Sequence, residues 1–379
     1  MIKINEFKKD SLIEECISIV HKRAAQSYME EVYFNALSEG IYIPKKALQQ
    51  AVKNGPSNTE EEAYSLFLTT LYTEDELPDD DAYALIKDSI TVIDDSVAGN
   101  DPYLRDVNIG ELDLSTENAK FTVMPTLPYE LQQLRIISNL FSPYELNTTQ
   151  PFGFSKTQSS FPLLILNDTT GYGASTFVRN LSKEHIDKAK GHVVVFGLDI
   201  GYFAYLTALK NNVKSLTIVE PNEQLVRIFN KYILPKFKDD AKKKISIVSR
   251  EFDETFLDKK FMNKFNFCFV NTYFTRDDGI PTFIKYKENE KDLKCIVSYW
   301  LEDDFISAYQ DELFFKITNI LMPDMPTELF LHEPLLQKKL DKYFEDNNYT
   351  IKNKMDLYSL IFDKSIMNDI LDIPLNICD

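Results

Sequence analysis

The spacing of apolar residues along the chain changes character twice. From residue 11 to about residue 99 they recur at helical intervals. Ser11 and Glu14 form a capping-box signature, and Ile13, Ile17, Val20, Ala24 and Tyr28 follow on one face until Gly40. Pro44 opens a second predicted helix over 45–53, stopped by Gly55 and Pro56. Asn58 and Thr59 precede a third, with Ala63, Leu66, Phe67 and Leu71 as its apolar positions. A fourth starts at Pro78 with Asp79, Asp80 and Asp81, acids that suit the positive end of a helix dipole, and runs through Ala84, Leu85 and Ile93 to Gly99. From Asp106 the period shortens. Val107, Ile109, Leu112 and Leu114, then Phe121 and Val123, predict a β-hairpin around 115–118, closed by Pro125 and Pro128. Residues 127–141 are expected to be helical, and 142–160, rich in Pro, Thr, Ser and Gly, to form a long connection.

A third regime begins at Phe161. Short apolar runs over 161–166, 192–196, 216–219, 245–248, 265–270 and 295–298 read as strands, with helix-like or charged sequence between most of them. Such alternation implies a parallel sheet covered on both faces. The first run leads through a turn-rich stretch, 167–173, to a helix over about 175–190. Past Trp300 the expectation is a helix over 303–321, a Pro-rich 322–326 and a helix over 333–345, with 349–351 and 357–362 pairing as antiparallel strands at the end of the sheet. The predicted fold is therefore α/β: a Rossmann-like sheet with helices on both faces, preceded by a helical N-terminal domain and a short β-hairpin region. The expected boundaries are 1–105, 106–160 and 161–379.

Candidate chemistry concentrates in HVVVFGLDIGYFAYLTALKNNVKSLTIVE, residues 192–220. Its order is strand, glycine-bearing turn, helix, strand, acid. Glycines let backbone approach a ligand, a helix N-terminus offers free N–H groups, and an acid about 20 residues on can hold ribose hydroxyls. This stretch and its continuation to Phe237 resemble the class I S-adenosylmethionine-dependent methyltransferases, in the branch similar to spermidine synthase, where the turn usually runs Gly-x-Gly-x-Gly-Tyr. The resemblance covers about 191–302, and FNFCFVN and IVSYWLE fall where that family has its fourth and fifth strands.

The resemblance implies S-adenosylmethionine as cofactor. Gly197, Asp199 and Gly201 would line its methionine end, Glu220 would take the ribose hydroxyls, and Glu251, between Arg250 and Asp253, would lie near adenine. Asn271-Thr272-Tyr273-Phe274 is similar to the Asn-Pro-Pro-aromatic signature of amino-group methyltransferases. That makes Asn271 and Tyr273 the catalytic candidates, with Asn271 also bordering the cofactor. Asp277 and Asp278, in the turn that follows, would face the acceptor only if that loop folds inward. Two positions depart from the family pattern: Asp199 replaces the middle glycine, and Asn271 stands where an acid is often found. Asp199 would then repel the cofactor's carboxylate. A second register, Leu198-Asp199-Ile200-Gly201, places the acid before the first glycine and leaves Phe203 and Tyr205 in place of the later ones. Substitution of Gly201 by arginine is expected to abolish cofactor binding without unfolding the chain. Tyr172 lies in the segment that borders the acceptor pocket in the spermidine synthase-like branch, although a Gly-flanked tyrosine also reads as a plain turn residue.

Three functions fit these residues. One is methyl transfer to a small-molecule or protein acceptor. Another is aminopropyl transfer from decarboxylated S-adenosylmethionine, against which Asn271 stands because a carboxylate is wanted there. The third is a catalytically degenerate Rossmann protein that works by binding a partner, with a homodimer left open.

Composition narrows the setting. The chain has 379 residues, enough for two cored domains, and 42 basic against 59 acidic residues give a net charge of −17, which opposes binding to nucleic acid. Lys231, Lys236, Lys238 and Lys242 to Lys244 cluster, but as a solvated helix end. Cysteines 16, 268, 295 and 378 and the four histidines are scattered, so no metal site is expected. No apolar run reaches the ~18 residues needed to span a bilayer, and no apolar segment follows the charged N-terminus, so a soluble, cytoplasmic protein without membrane contact is expected. The sole tryptophan, Trp300, reads as a core indole or a wall of the site.

Overall fold

Five short apolar runs form the centre of the molecule. In the computed structural model, which describes residues 1–5, 8–55, 57–72, 87–94, 99–135, 151–323 and 332–375, they are β1 (Gly191–Phe196), β2 (Val213–Val219), β3 (Ile245–Val248), β4 (Phe267–Val270) and β5 (Ile296–Tyr299). All neighbours pair parallel, in the order β3-β2-β1-β4-β5. Every residue of β4 and the last four of β1 are buried, which is why these strands read as continuous apolar runs rather than alternating ones. The two faces carry different helices. Phe196 of β1 packs on Phe256 and Tyr286, from Phe252–Leu257 and Arg276–Glu290. Phe269 of β4 packs on Phe203 and His185, from Tyr202–Leu209 and Thr176–Lys188. Right-handed crossovers account for this division, because the chain moves one way from β1 to β3 and the other way from β4 to β5. The strand order reverses between β1 and β4, which stay paired to their last residues, Phe196 and Val270.

The predicted α/β class, with a helical N-terminal region, is the observed one, and the differences lie at its margins. The helices expected from 11 to 71 are Lys9–Ser38, Lys45–Asn54 and Glu60–Tyr72. The start of the fourth predicted helix lies outside the described residues, but its end does not: Ile90–Val92, two β-branched residues around a threonine, is a strand paired with Phe152–Phe154. Leu131–Gln133, expected to be helical, joins the same small sheet. The rest of that predicted helix and most of the 142–160 connection lie outside the described residues. The hairpin is present, with Leu112–Leu114 against Ala119–Thr126, although the second strand runs through Pro125. It continues by pairing with Ser159–Leu166, which pairs in turn with Thr170–Gly173.

At the other end, Tyr349–Ile351 is a strand but pairs in parallel with Ile2–Ile4, and 357–362 is helix, not strand. The Asn353 side chain caps that helix by accepting from the N–H groups of Met355 and Asp356, and Leu357, Leu360 and Ile361 are buried at helical spacing. The long first helix bridges two cores. Leu12, Cys16 and Ile19 belong to the main core around the parallel sheet, whereas Val32, Tyr33 and Ala36 join a smaller one with Tyr64, Phe152 and Phe154. Among the described residues, Cys16, Cys268 and Cys295 are buried free thiols, no group of acids, histidines and cysteines is placed to hold a metal, and no helix is long and apolar enough to cross a membrane.

Candidate functional site

The turn after β1 is shaped by three left-handed residues. Gly197 has φ 94°, and a Cβ there would lie 1.9 Å from the Asn271 carbonyl oxygen, so only glycine lets the ends of β1 and β4 pass. Asp199 has φ 50°, and its Oδ1 accepts from the Ile200 N–H at 2.7 Å, a local bond that helps an aspartate hold this conformation. Gly201, φ 76°, precedes the helix Tyr202–Leu209, whose first turn has no side-chain cap. Glu220, at the end of β2, is only 5 % exposed and ties the turn to the next loop. Its Oε2 accepts from Leu198 N–H at 3.0 Å and its Oε1 from Asn222 N–H at 2.9 Å.

Beyond the paired ends of β1 and β4, a cleft of about 240 Å³ opens. The turn forms its floor through Gly197, Leu198 and Asp199, with Glu220 beside them, and the β4 end from Asn271 to Phe274 forms one wall. Tyr172, Phe177 and Val178 close it from the strand and helix that precede β1, and Phe252 and Trp300 complete the rim. Among the described residues, two carboxylates and no basic side chain line this space. Burial pushes the Asp199 carboxyl up to about 7 and raises that of Glu220, against the backbone N–H groups that favour its charged form. Burial, then the negative fields of Glu220 and Asp199, push the Tyr172 hydroxyl up to about 12.

The cleft gathers Gly197, Asp199, Glu220, Asn271 and Tyr273 from the sequence candidates. Among the described residues the Asn271 side chain has no hydrogen-bond partner, and it stands half-buried in the wall. Tyr273 is 4 % exposed; its hydroxyl donates to the Trp300 carbonyl at 2.8 Å and its ring packs edge-on against Phe305. Gly201 lies behind the floor, where a Cβ would meet the Phe229 ring at 2.5 Å. Glu251 is exposed at the start of Phe252–Leu257, outside the lining, while its neighbour Phe252 is inside it. Arg250 pairs with Asp258, and Asp253 with Lys285 and Tyr286. Asp278 is held in a capping box with Thr275 at the start of Arg276–Glu290, so it serves the helix rather than the cleft. Trp300, 7 % exposed, is both a buried indole and a cleft wall.

Sequence reasoning underrated two aromatics. Tyr172 and Phe274 approach with ring centroids 5.5 Å apart across the mouth of the cleft. The signal was the Gly171-Tyr172-Gly173 triplet: a Cβ at Gly173 would press on Leu163 at 3.1 Å, so the strand packs closely with one large side chain at its middle.

The residues present suit a nucleoside cofactor. Glu220 uses two of about four acceptor positions on backbone N–H groups and retains others for hydroxyls. Aromatic walls can cover a base.

No protein-family model matches the sequence, and no curated protein does. Parts of the chain align weakly with solved spermidine synthases. The enzyme from Thermotoga maritima shares 17 % identity with a TM-score of 0.27, and the match covers 40 % of this chain and 57 % of that enzyme. A spermidine synthase in complex with the transition state analogue AdoDATO shares 12 % identity with a TM-score of 0.28, over 56 % of this chain and 84 % of that one.

Proposed function

We propose that this protein binds S-adenosylmethionine in the cleft between β1 and β4 and transfers its methyl group to a small-molecule or protein acceptor. The observation that supports this most is the cleft's position at the sheet reversal, with the buried Glu220 beside a glycine turn and aromatic walls. Glu220 would accept hydrogen bonds from the ribose, and Phe252, rather than Glu251, would cover the base. The bound sulfonium supplies the leaving group, so the chain's task is to hold the acceptor in line and accept a proton. Asn271, whose side chain has no partner among the described residues, would accept a hydrogen bond from an acceptor amine. Tyr273 would fix the Trp300 wall through its 2.8 Å bond.

A second reading, aminopropyl transfer from decarboxylated S-adenosylmethionine, is favoured by the absence of any basic side chain among the described residues of the lining: a cofactor without a carboxylate escapes repulsion from Asp199. Calorimetric titration with S-adenosylmethionine, S-adenosylhomocysteine and decarboxylated S-adenosylmethionine tests both, with Asp199→Gly in parallel. One-to-one binding of the first two supports methyl transfer, and preference for the third supports aminopropyl transfer. Absence of heat from all three, with binding restored in Asp199→Gly, would overturn both and leave a partner-binding role.

A further inference from the structure

The helix Thr176–Lys188 presents different residues to two separate spaces. Phe177 and Val178 face the cleft, whereas Thr176 and Arg179, three positions apart and therefore on one face, line a second cavity of about 430 Å³. The two cavities share no lining residue among the described residues. The second is walled by the small sheet's Gln132, by the 155–160 segment and by Arg105 of the short helix Pro102–Asp106.

Its chemistry is the reverse of the cleft's. In a chain with a net charge of −17, the polar lining among the described residues consists of two arginines, two glutamines and five serine or threonine hydroxyls, with no carboxylate. Arg105 is already neutralised, by Asp106 at 2.8 Å. Arg179 is not. Its Nη2 donates to the Thr176 hydroxyl at 3.2 Å, and among the described residues no carboxylate comes within ion-pair distance. The nearest negative influence, Asp101, spends its oxygens on the N–H groups of Tyr103 and Leu104 and on the Tyr202 hydroxyl. Burial opposes the charge on Arg179, yet a guanidinium does not give up its proton, so a half-buried cation is left without a counter-ion.

The hydrogen bonds around it show the same shortage of acceptors. The Thr176 hydroxyl, accepting from Arg179, donates to Gln132 Oε1 at 2.7 Å, and Gln132 Nε2 is then buried with no acceptor. Among the described residues of the lining, donors outnumber acceptors and no side chain carries a negative charge. A ligand that supplies acceptor oxygens and a negative charge corrects both.

We propose that this second cavity binds the anionic group of a small organic ligand, a carboxylate or a phosphate, with its oxygens on Arg179 and the hydroxyls of the 155–160 segment. The proposal is independent of what occupies the cleft. Calorimetric titration of the full chain with inorganic phosphate and with succinate, at low ionic strength, tests it. One-to-one binding of at least one anion is expected, weakening as salt is added. Which anion binds more tightly identifies the natural group. Arg179→Gln should weaken binding at least tenfold, and so should Gln158→Glu, an exposed position where a carboxylate would take the anion's place. Circular dichroism on both variants establishes that they are folded. No saturable heat from either anion up to about 10 mM, a range that covers millimolar affinities, overturns the proposal. So does undiminished affinity in folded Arg179→Gln.

Discussion

Asp199→Asn isolates one ionisation. The backbone at this position has φ 50°, which asparagine adopts as readily as aspartate, and an asparagine Oδ1 can still accept from the Ile200 N–H. Only the charge is lost. Burial moves this carboxyl from 3.8 to about 7. The unfolded chain therefore releases the proton near its ordinary value, while the folded chain holds it until about neutral pH. Between those limits the unfolded state binds fewer protons, so wild-type stability falls as pH rises from about 4 to about 7 and is level above. A carboxyl moved this far corresponds to about 4 kcal/mol, and solvent reaching a half-buried group reduces it, so about 2–4 kcal/mol is expected. The variant should match the wild type near pH 4 and exceed it by that amount near pH 8. Urea unfolding of both proteins across this range measures the difference. A gap that does not change with pH, or a variant less stable near pH 8, refutes the reasoning.

The remaining predictions concern packing and other buried charges. Gly197→Ala should cost about 3 kcal/mol or more in thermal unfolding, because its Cβ would meet the Asn271 carbonyl at 1.9 Å in a left-handed backbone. Gly201→Arg, which sequence reasoning expects to spare the fold, should instead lose native circular dichroism, since even a Cβ collides with Phe229. Lys339 is fully buried, and its Nζ donates to Glu288 and to the carbonyls of Leu371 and Ile373, so Lys339→Ala should cost about 3–5 kcal/mol in urea. His185, stacked on Phe269 and bonded to Ser298 at 2.7 Å, is held neutral by burial, with its pKa lowered from 6.5 to about 4. Its contribution is complete above about pH 6.5 and is lost as pH falls toward 4, about 3 kcal/mol that should be missing from the acid limb of a His185→Gln variant.

What could be read from the sequence follows from how local each determinant is. The central strands β1 and β4 were visible because burial on both faces makes each a run of apolar residues, and the first βα turn was visible because Gly197 and Gly201 mark backbone that other residues resist. Pairing partners were not visible. Tyr349–Ile351 alternates like any edge strand, and nothing local says that its neighbour is Ile2–Ile4, more than 300 residues away. The run 357–362 is apolar enough for a strand, and only the Asn353 cap with its helical burial pattern decides otherwise. At the cleft, residue type located Glu220 and Asn271 but not the turn of chain that aims Phe252 inward and Glu251 out. Arg179 carried no motif at all. Its lack of a counter-ion is a property of three dimensions.

The charge on Asp199 also separates the two transfer reactions without an acceptor in hand. Near pH 7 this carboxyl is about half ionised. A ligand carboxylate brought to about 4 Å, at an effective dielectric near 20, would oppose that charge by about 4 kcal/mol, which favours the protonated form of Asp199. Binding of S-adenosylmethionine with its carboxylate at the turn should then take up about half a proton. A ligand that presents only cationic groups has the opposite effect: it favours the ionised form, and about half a proton should be released. Calorimetry in buffers of different ionisation enthalpy reads the sign directly. Uptake with S-adenosylmethionine and release with its decarboxylated form would place Asp199 at the non-nucleoside end of the ligand. The same sign for both, or no linkage in the wild type, would mean that the carboxylate never approaches Asp199, and the register that puts this residue in the turn's central position would have to be abandoned.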